Sequence, residues 1–326
     1  MIVPERYSAM EDTFATGYTG AAMIANLHLH SRFSDGTSWP EDIALDAARS
    51  GLDAVALTDH DTMAGTERFL ETCRHLGLDA TPGCELDINE PELHYKSELL
   101  AYFPGMHGNW KEELPRTARV LEAALERRFR RIRFFIENAR SVFSGKKLSF
   151  EDLFTDKTGL PYDEQLACSI SWSKVDLFLY LKARKCIDAD ASYKYFKRRY
   201  FGEGVFQKFR FEKPDALTVI ESVHGDGGFV VLPHLGHLWN DDLHAMQHDA
   251  QEVRHILSWF RERGVDGIEL YWYNSERKSG RINEYLRTMA EPMGYFFTYG
   301  SDCHGPGSDK HTISLFKGKF TGFPSR

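Results

Sequence analysis

Two imidazoles stand two residues apart in Asn26-Leu27-His28-Leu29-His30, at the end of an apolar run, and Asp35 follows in Ser34-Asp35-Gly36. Side chains at i and i+2 of a strand share a face, so His28 and His30 can close on one cation while Leu27 and Leu29 pack on the other side. The turn after them swings Asp35 back over the same spot. Four more segments end on similar groups: Asp59-His60-Asp61 after an apolar run, Glu85 after Thr81-Pro82-Gly83-Cys84, His234 after Gly228–Pro233, and Asp302-Cys303-His304 after Phe296–Ser301. A lone histidine after a strand is usually a hydrogen-bonded loop residue, and an acidic turn is usually solvated. Their joint occurrence points instead to a metal centre. Mixed imidazole and carboxylate donors, with no thiolate required, suit manganese, iron or zinc better than calcium or a structural zinc. Manganese is the first choice.

These groups need elements to hold them. Ser38-Trp39-Pro40-Glu41-Asp42 reads as a helix start, with proline early and acids in the first turn, and Gly51 as its stop. A second strand reaches His60, a helix follows from about residue 64 to Leu76 with Gly77 as its stop, and the next strand runs to Glu85. Ser97–Phe103 is a further strand. Repeated β-α units predict a parallel sheet, and ligands at strand carboxyl ends are what a β/α barrel offers as an active site. From about Gly105 to Lys213 the pattern turns helical, with Trp110–Phe143 as one long or broken amphipathic stretch and a second helical region from Lys174. The expected layout is an α/β barrel over 21–104 and 220–326, a helical insertion over 105–219 and an extension over 1–20. Arg128 and Arg131 share a helix face, and a planar guanidinium suits phosphate better than an amine does.

The motifs together resemble the polymerase and histidinol phosphatase, or PHP, family of metal-dependent phosphoesterases. The matching pieces are His28-Leu29-His30, Ser34-Asp35-Gly36, Leu57-Thr58-Asp59-His60, Gly83-Cys84-Glu85, Pro233-His234 and Gly300-Ser301-Asp302-Cys303-His304, in the family's order. The resemblance is greatest to the branch with a helical insertion, whose members act on nucleotides, cyclic ribose phosphates or short oligonucleotides. It implies a distorted, TIM-like (β/α)7 barrel and hydrolysis of a small phosphorylated substrate by metal-activated water. It also implies one ion on His28, His30, Glu85 and Asp302, and a second on Asp35, His60, Glu85 and His304. His304 or Asp59 would shuttle protons, Arg128 and Arg131 would orient non-reacting oxygens, and His234 would ligate a third ion or protonate the leaving oxygen. Two positions depart from the pattern. Glu98 stands where the family commonly has a ligating histidine, with His94 four residues earlier, and Lys174 falls where many members have an imidazole. Glu98 can still ligate a hard cation; Lys174 favours phosphate over a third metal. A hydrolase of a non-phosphate bond and a silent nucleotide- or metal-binding module stay open as alternatives, since fold alone does not set chemistry.

Composition agrees with a globular enzyme. The 326 residues, 42% hydrophobic and 27% charged, can bury a substantial core. A net charge of −8 argues against a broad footprint for duplex nucleic acid. The five cysteines lack a C-x-x-C pair, which favours reduced thiols and a cytoplasmic protein. Cys84 and Cys303 alternate with proposed ligands and read as packing thiols. No secretory pattern or membrane-length apolar run is expected. Nothing in the sequence indicates an oligomeric state.

Overall fold

The computed structural model describes residues 22–325 except positions 94 and 96. The extension expected over 1–20 and the alternative ligand His94 lie outside the described residues. In chain order come β1 (Met23–Leu29), α1 (Pro40–Arg49), β2 (Ala54–Leu57), α2 (Thr66–Leu76), β3 (Asp79–Asp87) and β4 (Glu98–Tyr102). Helices follow: α3 (Trp110–Glu113), α4 (Pro115–Val142), α5 (Phe150–Thr158), α6 (Glu164–Ser169), α7 (Lys174–Ala183) and α8 (Tyr193–Phe196), with a π-helical turn over Lys197–Gly202. The chain then alternates again through α9 (Ala216–Gly225), β5 (Phe229–Leu232), α10 (Leu243–His248), α11 (Ala250–Glu262), β6 (Gly267–Tyr271), α12 (Glu276–Ala290), β7 (Phe296–Gly300) and β8 (Gly318–Phe320). Among the described residues no helix is long and apolar enough to cross a membrane.

Local chemistry explains the elements around the site. α1 starts on Pro40 with Glu41 and Asp42 in its first turn, which suits the helix dipole, and buries Ile43, Ala44 and Ala47. α2 ends at Gly77, whose φ of +72° is left-handed and favours glycine. Both helices pack on β1 and β2 through a cluster that includes Leu29, Val55, Leu57 and Phe69. The helices between β4 and β5 bury an aromatic-rich core of their own, containing Phe135, Phe154, Trp172, Phe196 and Phe206, and Phe33 from the β1–α1 loop reaches into it.

All strands lie in one sheet of order β7-β6-β5-β4-β3-β2-β1-β8, an almost closed barrel. The wholly parallel arrangement expected from the β-α repeats fails at β4. That strand runs antiparallel to β3 and to β5, with Glu85 opposite Leu100 and Leu100 opposite Val231. The reversal has a direct consequence for the site. Glu98, the first residue of β4, pairs with Asp87, the last of β3, and so sits at the end where the parallel strands finish. The strand count also differs from the seven expected. β8 adds to the free edge of β1, antiparallel to it, and Gly318 lets it approach β7 so closely that a Cβ there would meet the Tyr299 ring. Beyond β8 the seam is closed by a bridge between Leu29 and Cys303, with His30 N donating to Cys303 O at 2.9 Å.

Candidate metal centre

The strand ends converge as the ligand spacing requires. His28 and His30 are fully buried and their Nε2 atoms are 3.1 Å apart. Glu85 Oε2 lies 3.3 Å from His28 Nε2, 3.4 Å from His30 Nε2 and 3.1 Å from His60 Nδ1. Asp302 Oδ1 lies 3.0 Å from His30 Nε2 and 3.4 Å from His304 Nδ1. Asp35 Oδ1 stands 3.1 Å from His304 Nε2 and 3.7 Å from His60 Nε2. Donor atoms cluster as His28, His30 and Asp302 on one side and as His30, Asp35, His60 and His304 on the other. Glu85 reaches towards both, and its other oxygen is 3.1 Å from His234 Nε2. Close as they are, Glu85 Oε2, His60 Nδ1 and Asp35 Oδ1 are buried atoms with no hydrogen bond among the described residues. Lone pairs that converge without aligning on a proton fit a cation between them, and unpaired burial is otherwise costly. The donor set therefore fits divalent ions.

Burial alone would keep these imidazoles neutral, yet nearby carboxylates overrule it at four of them. Against burial, Glu269, Glu85 and Asp302 hold His28 well above the usual range. Glu85 and Asp35 likewise raise His60, Glu85 raises His234, and Asp35 with Asp302 raises His304 to about 9. His30 moves the other way, to about 3, because burial is joined by repulsion from His304. The acids mirror this. Burial opposes their ionisation, but His304 and His60 hold Asp35 low, His28 and His60 hold Glu85 low, and Lys310 and His304 hold Asp302 low.

A second layer aims the donors. His28 Nδ1 lies 2.7 Å from Glu269 Oε1, and Glu269 Oε2 accepts His234 N–H at 2.8 Å. Gly300 makes room for this pair: a Cβ there would stand 1.9 Å from Glu269 Oε1 and 2.5 Å from His28 Cβ. Three site residues adopt left-handed backbone without being glycine, namely Asp61 (φ +49°), His234 (φ +29°) and Asp302 (φ +52°). Such conformations cost about 1–3 kcal/mol each and cluster where geometry serves function. Asp59, expected as a proton shuttle, has another task. Its oxygens accept Ser31 N–H at 2.7 Å and the hydroxyls of Ser31 and Ser34 at 2.6 and 2.5 Å, which pins the loop that carries Asp35.

The profile of the PHP domain matches residues 26–270, about three-quarters of the chain. The chain belongs to the PHP-domain family. Among curated relatives, it is 28% identical over 288 residues to phosphoribosyl 1,2-cyclic phosphate 1,2-diphosphodiesterase of Eggerthella lenta, covering 87% of this chain and 95% of the relative. It is 23% identical over 283 residues to the 5'-3' exoribonuclease of Haemophilus influenzae, covering 86% and 90%. A shorter match, 47% identical over 66 residues, joins it to the error-prone DNA polymerase of Nocardia farcinica, with 20% of this chain and 6% of the polymerase covered. The fold is shared with a protein of Bifidobacterium adolescentis at TM-score 0.64 and 23% identity, covering 88% of this chain and 89% of that one. An amidohydrolase from Chromobacterium violaceum has TM-score 0.62 at 20% identity, with the same coverage of 88% and 89%.

Within this PHP-domain chain the helical segment supplies positive charge to one rim of the donor cluster. Arg128 departs from the expectation that it orients phosphoryl oxygens. It is buried in α4, where Nε donates to Asp61 Oδ2 at 2.7 Å and Nη2 lies 3.0 Å from Asp87 Oδ2. Two carboxylates thus fix it as a tie between α4 and the ends of β2 and β3. Lys213 Nζ is 3.2 Å from the same Asp87 oxygen, and the two cations hold Asp87 at about 2 despite burial. Arg131, one turn beyond Arg128, donates to Trp172 O at 3.3 Å and lies over the Phe211 ring. Lys174 starts α7 with its ammonium 4.1 Å from the centre of the Phe201 ring. Burial and repulsion from Arg131, Lys197 and Lys213 lower its pKa, and it has no carboxylate partner among the described residues.

Glu98 lies with Glu85 and His234 in one group of donor atoms and with His60 and Asp87 in another. Burial, then Glu85, raises its pKa. Cys84 and Cys303 are buried free thiols in apolar clusters. Sequence reasoning missed Glu269, Asp87, Lys310 and Tyr271, whose hydroxyl donates to Asp302 Oδ2 at 3.2 Å. The signals for the first two were an acid in the middle of the apolar run Gly267–Tyr271, and a carboxylate two residues beyond Glu85 on the same strand face.

Proposed function

We propose that the chain is a metal-dependent phosphoesterase hydrolysing a small phosphorylated substrate: a nucleotide, nucleoside bisphosphate, cyclic ribose phosphate or short oligonucleotide. The observation that carries this reading is Glu85 Oε2, buried within 3.1–3.4 Å of three imidazole nitrogens and hydrogen-bonded to none. Two relatives matched over most of the chain are named for phosphodiester or ribonucleic acid cleavage, which supports phosphorus as the centre attacked.

We assign His28, His30, Glu85 and Asp302 to one divalent ion, and Asp35, His60, Glu85 and His304 to a second. Manganese is the first choice, and iron or zinc suits the same donors. Glu98 and His234, beside Glu85, offer a third position. Bound divalent ions supply Lewis-acid polarisation and an activated water. The chain's own residues do the rest. Glu269 orients His28, and Arg131, Lys174 and Lys213 present positive charge to non-reacting phosphoryl oxygens. His234 would protonate a leaving oxygen when no third ion is held, and His304 would move a proton from water only where the second ion is not held. Five cysteines without a disulfide among the described residues fit the reducing cytoplasm, where we place the protein.

The test is release of inorganic phosphate from a panel of nucleoside mono- and bisphosphates, cyclic ribose phosphates and short oligonucleotides, alongside elemental analysis of the purified protein. At least two transition-metal ions per chain and turnover on one substrate class are expected. No bound metal after growth and assay with added manganese would sink the proposal.

A further inference from the structure

We propose that Lys310 is a phosphate-contact residue of this site, its ammonium held between Asp302 Oδ2 and a non-bridging oxygen of the substrate's phosphoryl group. The inference rests on the phosphoesterase reading above. Asp302 divides its two oxygens. Oδ1 faces His30 and His304, while Oδ2 turns away from them to the Tyr271 hydroxyl, at 3.2 Å, and the Lys310 ammonium. Among the described residues, the close ion pairs of the other acids assigned to the two ions, Asp35 and Glu85, are with imidazoles. Lys310 is therefore the side-chain ammonium lying directly on that ligand set among the described residues.

Its exposure sets the direction in which it can act. The Lys310 side chain is 41% exposed and that of Asp302 only 6%, so the lysine lies along the open edge of the site and the carboxylate inside it. An ammonium has three donors. Asp302 is its one side-chain acceptor among the described residues, which leaves two donors for the oxygens of a ligand.

A tied loop places the residue. His304 N donates to Lys310 O at 2.8 Å, Lys310 N donates to Ser308 Oγ at 3.2 Å, and the Ser308 hydroxyl donates to Gly305 O at 2.7 Å. Gly305 at φ +84° and Gly307 at φ +81° provide the reversals. The Thr37 hydroxyl, two residues beyond Asp35, donates to Pro306 O at 2.8 Å and so joins this loop to the one carrying a proposed ligand. The stretch matched by the PHP-domain profile ends at residue 270, so the loop lies beyond it.

A phosphomonoester presents three non-bridging oxygens and close to two charges, whereas a diester presents two oxygens and one charge. A cation at this edge therefore adds more to recognition of a terminal phosphate. The test compares the unaltered chain with Lys310→Gln and Lys310→Arg, each loaded with manganese and analysed for metal content. Calorimetry with inorganic phosphate reads binding without turnover, and p-nitrophenyl phosphate and bis(p-nitrophenyl) phosphate read the two ester classes.

Lys310→Gln is expected to keep its metal and to bind phosphate about ten- to a hundredfold more weakly. It should lose more kcat/KM on the monoester than on the diester, and Lys310→Arg should restore most of both losses. Unchanged phosphate affinity in Lys310→Gln overturns the proposal, as does an unaltered chain that binds no phosphate. Metal content and both activities falling together also overturn it, because Lys310 is then only a brace for Asp302. If the unaltered chain binds phosphate but cleaves no ester, the phosphoesterase reading falls while calorimetry still decides the role of Lys310.

Discussion

His28 Nδ1 and Glu269 Oε1 lie 2.7 Å apart, and neither side chain is exposed to solvent. The contact turns His28 so that Nε2 faces Glu85 and Asp302, and it raises the basicity of the ring as a ligand. Glu269→Gln keeps the shape but removes the charge. It should weaken metal affinity about ten- to a hundredfold, measured by competition with a chelator, while circular dichroism stays unchanged. Gly300→Ala should lose the same affinity and in addition about 1–3 kcal/mol of stability to urea, since its Cβ would overlap both partners. An alanine variant with parental metal affinity and urea midpoint would falsify this account of the pair.

Glu85 and Glu98 should respond differently to loss of charge. Glu85→Gln removes the acid shared by both ion positions and should abolish metal binding and turnover together, as should His30→Ala and Asp302→Ala. Glu98→Gln should keep two ions, and Glu98→His should be tolerated because either side chain can ligate there. Elemental analysis of the variants decides the matter, and equal metal contents in Glu85→Gln and Glu98→Gln would count against the bridging assignment.

The arginines of α4 should separate stability from activity. Arg128→Ala leaves Asp61 and Asp87 as buried acids without their main partner and should cost about 3–5 kcal/mol, read by urea denaturation. Lys174→Ala should leave stability and metal content alone and lower kcat/KM about ten- to a hundredfold through a lost charged contact to phosphate. If Lys174→Ala hydrolyses every substrate as the parent does, Arg131 and Lys213 must hold the phosphate without it.

Metal loading should release protons. In the metal-free protein nearby carboxylates shift His28, His60 and His234 towards the protonated form, and His304, raised to about 9, carries a proton at neutral pH. Ions that take those nitrogens displace the protons. Apparent affinity should therefore climb with pH up to about 9, and weakly buffered protein should acidify when manganese is added at pH 7.5. The same shifts fix a stability trend. A raised histidine stabilises the fold fully below its unfolded value of about 6.5, and that contribution is lost as pH rises through the folded value. His30, lowered to about 3, opposes the trend near pH 6.5, where the unfolded ring still sheds its proton, and is neutral in both states above about pH 7.5. The metal-free Tm should fall between about pH 7.5 and 9.5, and a Tm that rises over that range would contradict the assigned protonation.

How far the sequence could be read depended on how local each signal was. His28, His30, Asp35, His60, Glu85, His234, Asp302 and His304 could be picked out because period-two spacing and strand-end position are properties of a few adjacent residues. The direction of β4 was not readable. Glu98-Leu99-Leu100-Ala101-Tyr102 is a short apolar run that looks the same in either orientation, and only its pairing with Asp79–Asp87 settles it. The commitment of Arg128 was hidden for a related reason, since its partner Asp61 lies 67 residues away. Lys310 had no local signature, because its place is set by a loop closing on Asp302 eight residues back.

α4 acts as a ruler. Its first turn is fastened at the far end of the barrel, where Asp226, before β5, accepts the N–H groups of Arg116 and Thr117. Eleven residues after Thr117, at about 1.5 Å each, it delivers Arg128 to the mouth roughly 16 Å away. Removing one residue between these points would turn everything beyond by about 100° as well as shorten the span, so Arg128 would miss both acids and Arg131 would leave the rim. Within the helical segment, length changes should therefore be tolerated beyond Phe143 and not between Thr117 and Arg128, where even a whole-turn insertion, which keeps the face, would carry Arg128 about 5 Å past its acids.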